Sequence, residues 1–379
     1  MLGVETMDRK VLLIGNGFDL VHDLPTSYED FLQILKRPDS FRDALEKAIK
    51  VQENGVTVEN SGEWSRYLSN VADITLTRID EMITNIRQSS WAQYYAHCNA
   101  EINGWIDFER EILPAIGMFQ KVLNSQVRVR KYSNDINATI TINDTNIARM
   151  AKQWGKFFGV TEVQEQGVAE IQIKSRYCDE NYGILKEKML DDLYLDFRKL
   201  ILAFGIYIEE VIDLKEVKEK PLFKSLKVTD IINFNYTATF RHYRNLNEAN
   251  VKYVHGSTKN ISTIVMGINE VPDDRNYDFK EYEKSAQRLF YDVKQSYKDI
   301  IESDELFELY IFGHSLDITD KNILGPFLRK AAHVTIYYYD DARKKDYYNK
   351  IKNVMALLGD NDAEDMMRRG VIEYEKYYE

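Results

Sequence analysis

RKVLLIGNGFDL, residues 9–20, decides the fold. The short apolar run from Val11 to Ile14 ends in Gly15 and Gly17, which reads as a buried strand entering a tight turn. A strand apolar throughout belongs in a covered parallel sheet. The stretch that follows, LPTSYEDFLQILKRP (24–38), reads as a helix. Thr26 or Ser27 can cap it, Ser27 and Asp30 have capping-box spacing, Phe31, Leu32 and Leu35 give it an apolar face, and Pro38 closes it. The chain therefore opens strand, turn, helix.

Outward from this unit, alternation of strand and helix resumes only after residue 215. VTDIINFNYTATF (228–240) reads as strand, turn and helix; VKYVHG (251–256) and TIVMGI (263–268) read as short strands. A helix over 282–301, the strand ELYIFGHSL (308–316), a helix over 318–332, the strand HVTIYYYDD (333–341), a helix at 341–358 and a strand near 370–374 complete the series. This predicts an α/β fold, a doubly wound and mostly parallel Rossmann-like sheet made of residues 8–38 and 215–379. Residues 39–214 read as a large, mainly helical insertion. Helical periodicity fills 40–125, β-branched segments near 126–180 suggest short strands in an irregular elaboration, and a long helix spans 184–211.

The composition of the 379 residues excludes several classes. With 44% hydrophobic and 29% charged residues the chain can bury a core, so it is not a disordered regulator. A net charge of −11 argues against a broad surface for nucleic acid. No run approaches the ~18 apolar residues of a membrane span, and the N-terminus has no secretory leader, so a cytoplasmic protein without membrane attachment is expected. Cys98 and Cys178 stand far apart with no CxxC partner, which excludes a zinc knuckle and a disulfide framework. His22, His97, His242 and His333 show no ligand spacing, and no metal site is expected.

In open parallel sheets ligands bind beyond the carboxyl ends of the strands. Here those ends carry GNGFD (15–19), NFNYT (233–237), HG (255–256) and GHSLD (313–317). Gly15 and Gly17 let the backbone approach a ligand, Asn16 and Asp19 flank them, and the capped helix start at Thr26 and Ser27 offers N–H groups to a phosphate. Asn235 can hold a ribose hydroxyl or a water, with Tyr236 beside it and Thr237 as a helix cap. His255, before Gly256, can act as a general base. Gly313, His314, Ser315, Asp317 and Asp320 form the fourth loop, in which Ser315 can bond a phosphate and Asp317 a ribose or a cap; the G-x-S-x-G pattern fails at Asp317, which disfavours a serine hydrolase. In WIDFERE, Trp105, Asp107 and Glu109 stand out, and Glu109 either faces the cleft or lies on a solvated face. Each of these loops also has a purely structural reading as turn and cap chemistry.

Taken in order, GNGFDLVHDLPTSYEDF, WIDFERE, NFNYTATF, VHGS and IFGHSLDITDKNIL resemble the bacteriophage abortive infection AbiH family over nearly the whole chain, from about 12 to 325. The resemblance implies a bacterial antiviral protein that arrests growth or kills the infected cell. AbiH sequences commonly have Gly before LPTSY; Asp23 stands there, a residue that tolerates a left-handed backbone. The order of motifs is also similar to the sirtuin-like NAD-binding domain. That similarity implies pyrophosphate at Gly15 and Gly17, Asn235 near the nicotinamide ribose, and His255 as catalytic base. Thr237 replaces an Asp usual in that fold, and the zinc cysteines of deacetylases are missing, which argues against deacetylation.

The sequence thus leads to a protein that binds a nucleotide, NAD first, and hydrolyses its glycosidic bond, with Asp19 and Asp317 steadying positive charge on the ribose and no resident cofactor required. The alternative is a non-catalytic nucleotide-binding sensor that meets a phage or host protein through the helical block. Self-association into a homo-oligomer is compatible with both.

Overall fold

The run at 10–14 is an inner strand of a six-stranded, wholly parallel sheet. The computed structural model describes residues 9–53, 62–68, 71, 73–97, 105–132, 135–163, 168–269, 277–339 and 344–378. Cys98 lies outside them, as do the side chains of Trp105 and Asp107. The strands, numbered along the chain, are β1 (Lys10–Ile14), β2 (Val127–Tyr132), β3 (Asp135–Ile142), β4 (Phe158–Val163), β5 (Ala169–Ile173), β6 (Asp230–Asn233), β7 (Asn250–Tyr253), β8 (Glu308–Phe312), β9 (His333–Tyr339) and β10 (Ile372–Tyr377). The parallel sheet has the order β10-β9-β8-β1-β6-β7. The chain builds outward from β1 through β6 to β7, then crosses back to lay β8, β9 and β10 on the other side. This is the Rossmann order, with its switch point between β1 and β8.

Alternation within the strands places side chains on two faces, and both are covered. Val11, Leu13, Leu309, Ile311, Val334 and Ile336 pack with the helices Lys321–Lys330 and Lys345–Leu358. Leu12, Ile14 and Phe312 pack with Phe18, Phe223, Phe240 and Tyr243 on the other side. Each such side chain contributes roughly 1.5–3 kcal/mol of burial, which is why a run apolar in every position is stable only in the interior of such a sheet.

The insertion has its own core. The helix Lys186–Tyr207 is its spine, burying Leu193, Phe197, Leu200 and Phe204, and a π-turn at Ile208–Ile212 ends it. The 126–180 region folds as the antiparallel sheet β2-β3-β5-β4. The helix Tyr28–Lys36, capped by the Ser27–Asp30 capping box, sends Tyr28, Phe31 and Ile34 into this core, and so do Ile264, Met266 and Ile268. Asp23 takes φ +60°, the left-handed conformation its position requires.

Three local expectations are corrected. Residues 263–268 form no strand, because Ile264, Met266 and Ile268 are drawn into the insertion core; Ile268 makes a single bridge to Glu283. The helix expected over 282–301 is broken into Lys284–Phe290 and Lys298–Glu302. Asp292 is left-handed at φ +51°, and the bonds Asp292 N to Leu289 O and Val293 N to Arg288 O close a Schellman motif. NFNYT leads into a 3-10 turn, Thr239–His242, and a single helical turn, Arg244–Asn247, whose N-cap positions are Ala238 and Tyr243, so Thr237 caps no helix.

Candidate functional site

A cavity of about 440 Å³ lies over the switch point. Gly15, Asn16, Asp19, Thr26, Asn235, Tyr236, Thr237, His255, Gly313, His314, Ser315 and Asp317 all line it. All four strand-end loops therefore meet. Gly17, Ser27 and Gly256 stand behind the wall, in structural roles.

Those roles follow from close approach. Gly17 N donates to Gly313 O at 2.8 Å, and a Cβ on Gly17 would lie 2.5 Å from Gly313 Cα. Gly313 has φ +68° and a Cβ there would meet Phe18 N at 2.3 Å. The loops after β1 and β8 thus lie back to back, which only two glycines permit. Gly15 N donates to Phe312 O and Phe18 N to Gly15 O, so of the amides of residues 15–18 only that of Asn16 is left for a ligand. Ser27 is engaged by its capping box, away from the cavity. The turn is therefore not a cradle of free N–H groups.

The NFNYT loop is folded by its own side chains. Asn233 Nδ2 donates to Thr237 O at 2.9 Å and Asn235 N donates to Asn233 Oδ1 at 2.8 Å. Asn235 Nδ2 donates to Gly15 O at 2.9 Å, tying the β6 loop to the β1 loop. Thr237 Oγ1 donates to Asp19 Oδ2 at 2.8 Å. Burial pushes Asp19 up to about 7 against the hydrogen bonds of Thr239 and Thr237. A carboxyl that is half protonated at neutral pH is a poor source of the negative charge expected of it. Asp317 is also engaged: it accepts from Thr319 N and pairs with Arg110 of the insertion at 3.0 Å.

The charge of the cavity resides elsewhere. Glu109, on the helix Trp105–Arg110, is buried and faces the cavity; its Oε2 meets Lys284 Nζ at 2.8 Å. Lys284 Nζ also lies 3.5 Å from Asp320 Oδ1, as does His255 Nε2, and His314 Nε2 is 3.9 Å from Asp320 Oδ2. Burial pushes both His255 and His314 down to about 4. Both rings are neutral at pH 7. Burial lifts Glu109, with Lys284 the main opposing group. Burial alone would lift Asp320 too, but the Lys284 ammonium and the two imidazoles hold it well below the usual carboxylate range. His255 Nδ1, in the same wall, is buried without a hydrogen-bond partner.

Nothing in the sequence marks Lys284, and Asp320 stands in the fourth loop with no role assigned to it by its neighbours. Lys284, Gln287 and Arg288 recur at helical spacing and are all buried, yet a polar helix face in a sequence reads as a solvated one. Among the described residues no cluster of His, Cys, Asp and Glu is arranged for a metal ion, and no helix is long and apolar enough to cross a membrane.

Fold and site together define a Rossmann-like α/β protein with a cavity, partly open and lined by both polar and apolar groups, where that architecture holds its ligands. The chain belongs to the bacteriophage abortive infection AbiH family, which it matches over residues 11–340. Its role is accordingly in abortive infection, a form of antiviral defence that confers phage resistance. Neither curated proteins nor solved structures gave a match.

Proposed function

We propose that the cavity binds a nucleotide, NAD first among them, and hydrolyses its glycosidic bond during the response to phage. The observation that carries this reading is the convergence of Asn235, His255 and His314 with the Glu109–Lys284–Asp320 cluster on one cavity at the switch point. Its size falls in the ~300–1,000 Å³ range of small-molecule sites and suits the reactive half of a dinucleotide. In the step, the anomeric carbon loses its bond to the nicotinamide nitrogen, which takes the electron pair and leaves neutral. A water oxygen bonds to that carbon and its proton passes to His255. Asn235, fixed by Gly15 O, orients the ribose or the water. Carboxylates preorganised in a dry site stabilise the cationic ribose, an effect commonly worth several kcal/mol; Asp320, held ionised, is better suited to it than Asp19, and Asp317 is engaged by Arg110.

The test is release of nicotinamide from NAD by purified protein, with and without phage-derived activators. Release by the wild type, lost in His255→Ala together with phage protection, supports the reading. No turnover combined with unchanged protection by His255→Ala overturns it. The sensor reading is favoured by one observation, that Thr237 is engaged with Asp19 in holding the fold rather than free to act on a ligand. It predicts thermal stabilisation by NAD or ADP-ribose without product.

A further inference from the structure

The wall of the cavity fixes which nitrogen of each histidine carries the proton. Leu316 N–H donates to His314 Nδ1 at 2.9 Å, so the neutral ring has its proton on Nε2, the atom turned toward Asp320. His255 presents its own Nε2 to the same carboxylate at 3.5 Å. A lone pair on that atom would face a charge of its own sign, so the proton belongs there and the lone pair falls on Nδ1. This Nδ1 is buried and has no hydrogen-bond partner. A buried acceptor left without a donor is costly, and such atoms in native proteins mark a missing ligand, water or catalytic role. Asp320 is itself braced: Lys284 bridges it to Glu109 of the insertion, and both of its flanking histidines approach through Nε2.

We infer that Asp320 is a positioning residue that holds His255 with Nε2–H toward its carboxylate, so that Nδ1 is the atom that accepts the hydrogen bond, and then the proton, of the attacking water or a ribose hydroxyl. The second half of this statement rests on the hydrolytic reading of the cavity; the first half does not. When the proton arrives, both ring nitrogens carry hydrogen, and the imidazolium sits against the Asp320 carboxylate that compensates its charge. The insertion enters the chemistry here, because Glu109 steadies Asp320 only through Lys284.

The full-length chain labelled with 15N-histidine gives the tautomer of each ring by NMR at neutral pH. His22 is an internal control: its Nδ1 contacts Phe18 O at 2.5 Å and its Nε2 contacts Tyr243 OH at 2.6 Å, which demands the Nδ1–H form. The wild type is expected to show His255 protonated on Nε2. Asp320→Ala is expected to shift His255 toward a mixture of tautomers, and Asp320→Glu to retain the wild-type form, with His22 unchanged in both. His255 protonated on Nδ1 in the wild type overturns the inference, as does an unaltered His255 in Asp320→Ala; the wild-type result decides even if that variant does not fold. In parallel, Asp320→Ala is expected to lower kcat for nicotinamide release by about 100-fold or more with a smaller change in KM, and Asp320→Glu to restore part of it. Nε2-protonated His255 in a protein that releases no nicotinamide refutes the hydrolytic reading and leaves the positioning intact. Turnover with Nδ1-protonated His255 refutes the positioning and leaves the hydrolysis standing.

Discussion

Replacing Lys284 by Met keeps the length and apolar stem of the side chain and removes a single buried charge. In the structure that charge stands between Glu109 at 2.8 Å and Asp320 at 3.5 Å. At an effective dielectric constant of ~20 these attractions are roughly 6 and 5 kcal/mol, and desolvation of the three groups offsets much of them. Removing one partner of a buried pair leaves the other uncompensated, which typically costs about 3–5 kcal/mol. The loss must depend on pH. Glu109 already titrates above an ordinary glutamate because of burial, and Lys284 is the main group opposing that shift. Without Lys284 the folded variant retains a proton on Glu109 that the unfolded chain, titrating near 4.5, has released. Above that pH the folded state binds more protons than the unfolded state, so stability falls as pH rises. Urea unfolding at pH 8 should therefore show the full deficit relative to wild type, and the deficit should shrink as pH falls toward 4.5. Adding Glu109→Gln should recover part of it at pH 8. A deficit below about 1 kcal/mol, or one that is the same at every pH, would refute the charge network.

Further consequences concern the glycine contact, Asp19 and His255. Gly313→Ala and Gly17→Ala should each destabilise, the former by roughly 1–3 kcal/mol from its left-handed backbone alone with a further clash at Phe18 N, whereas Gly117→Ala, in the open on the helix Ile112–Leu123, should stabilise by about 0.5–1 kcal/mol; thermal unfolding of the three variants ranks them. Asp19, raised by burial from 3.8 to about 7, makes the folded protein lose stability as pH rises through that window, so Asp19→Asn should be more stable than wild type at pH 8 and equal to it near pH 4. An unchanged slope of stability against pH in Asp19→Asn would contradict this. Lys284→Met should also raise the His255 pKa, since the ammonium adds to burial in holding it down, and a histidine titration by NMR reads that shift directly.

The sheet was legible because burial on both faces leaves a mark that needs no partner to be read: Val11 to Ile14 are apolar without a break, and the turn glycines follow at once. The capping box at Ser27 and Asp30 was legible for the same reason, since both of its residues are local in sequence. What the sequence concealed was non-local. It could not show that Gly17 is needed for Gly313, almost three hundred residues away, and that a turn resembling a phosphate cradle has two of its amides, those of Gly15 and Gly17, occupied by that neighbouring segment. It could not separate the buried Lys284 face from a solvated helix, because the two have the same periodicity. Residues 263–268 have the β-branched content of a strand, but propensity does not say whether a sheet edge or the insertion core claims them.

Everything rests on the cavity lined by Asn16, Asn235, His255 and His314 being a nucleotide site. Crystals of the protein soaked with ADP-ribose test it directly. Density for the ligand should cover the Asn16 amide, with the terminal ribose against Asn235 and His255; an empty cavity at saturating ligand, or density only on another surface, contradicts the account.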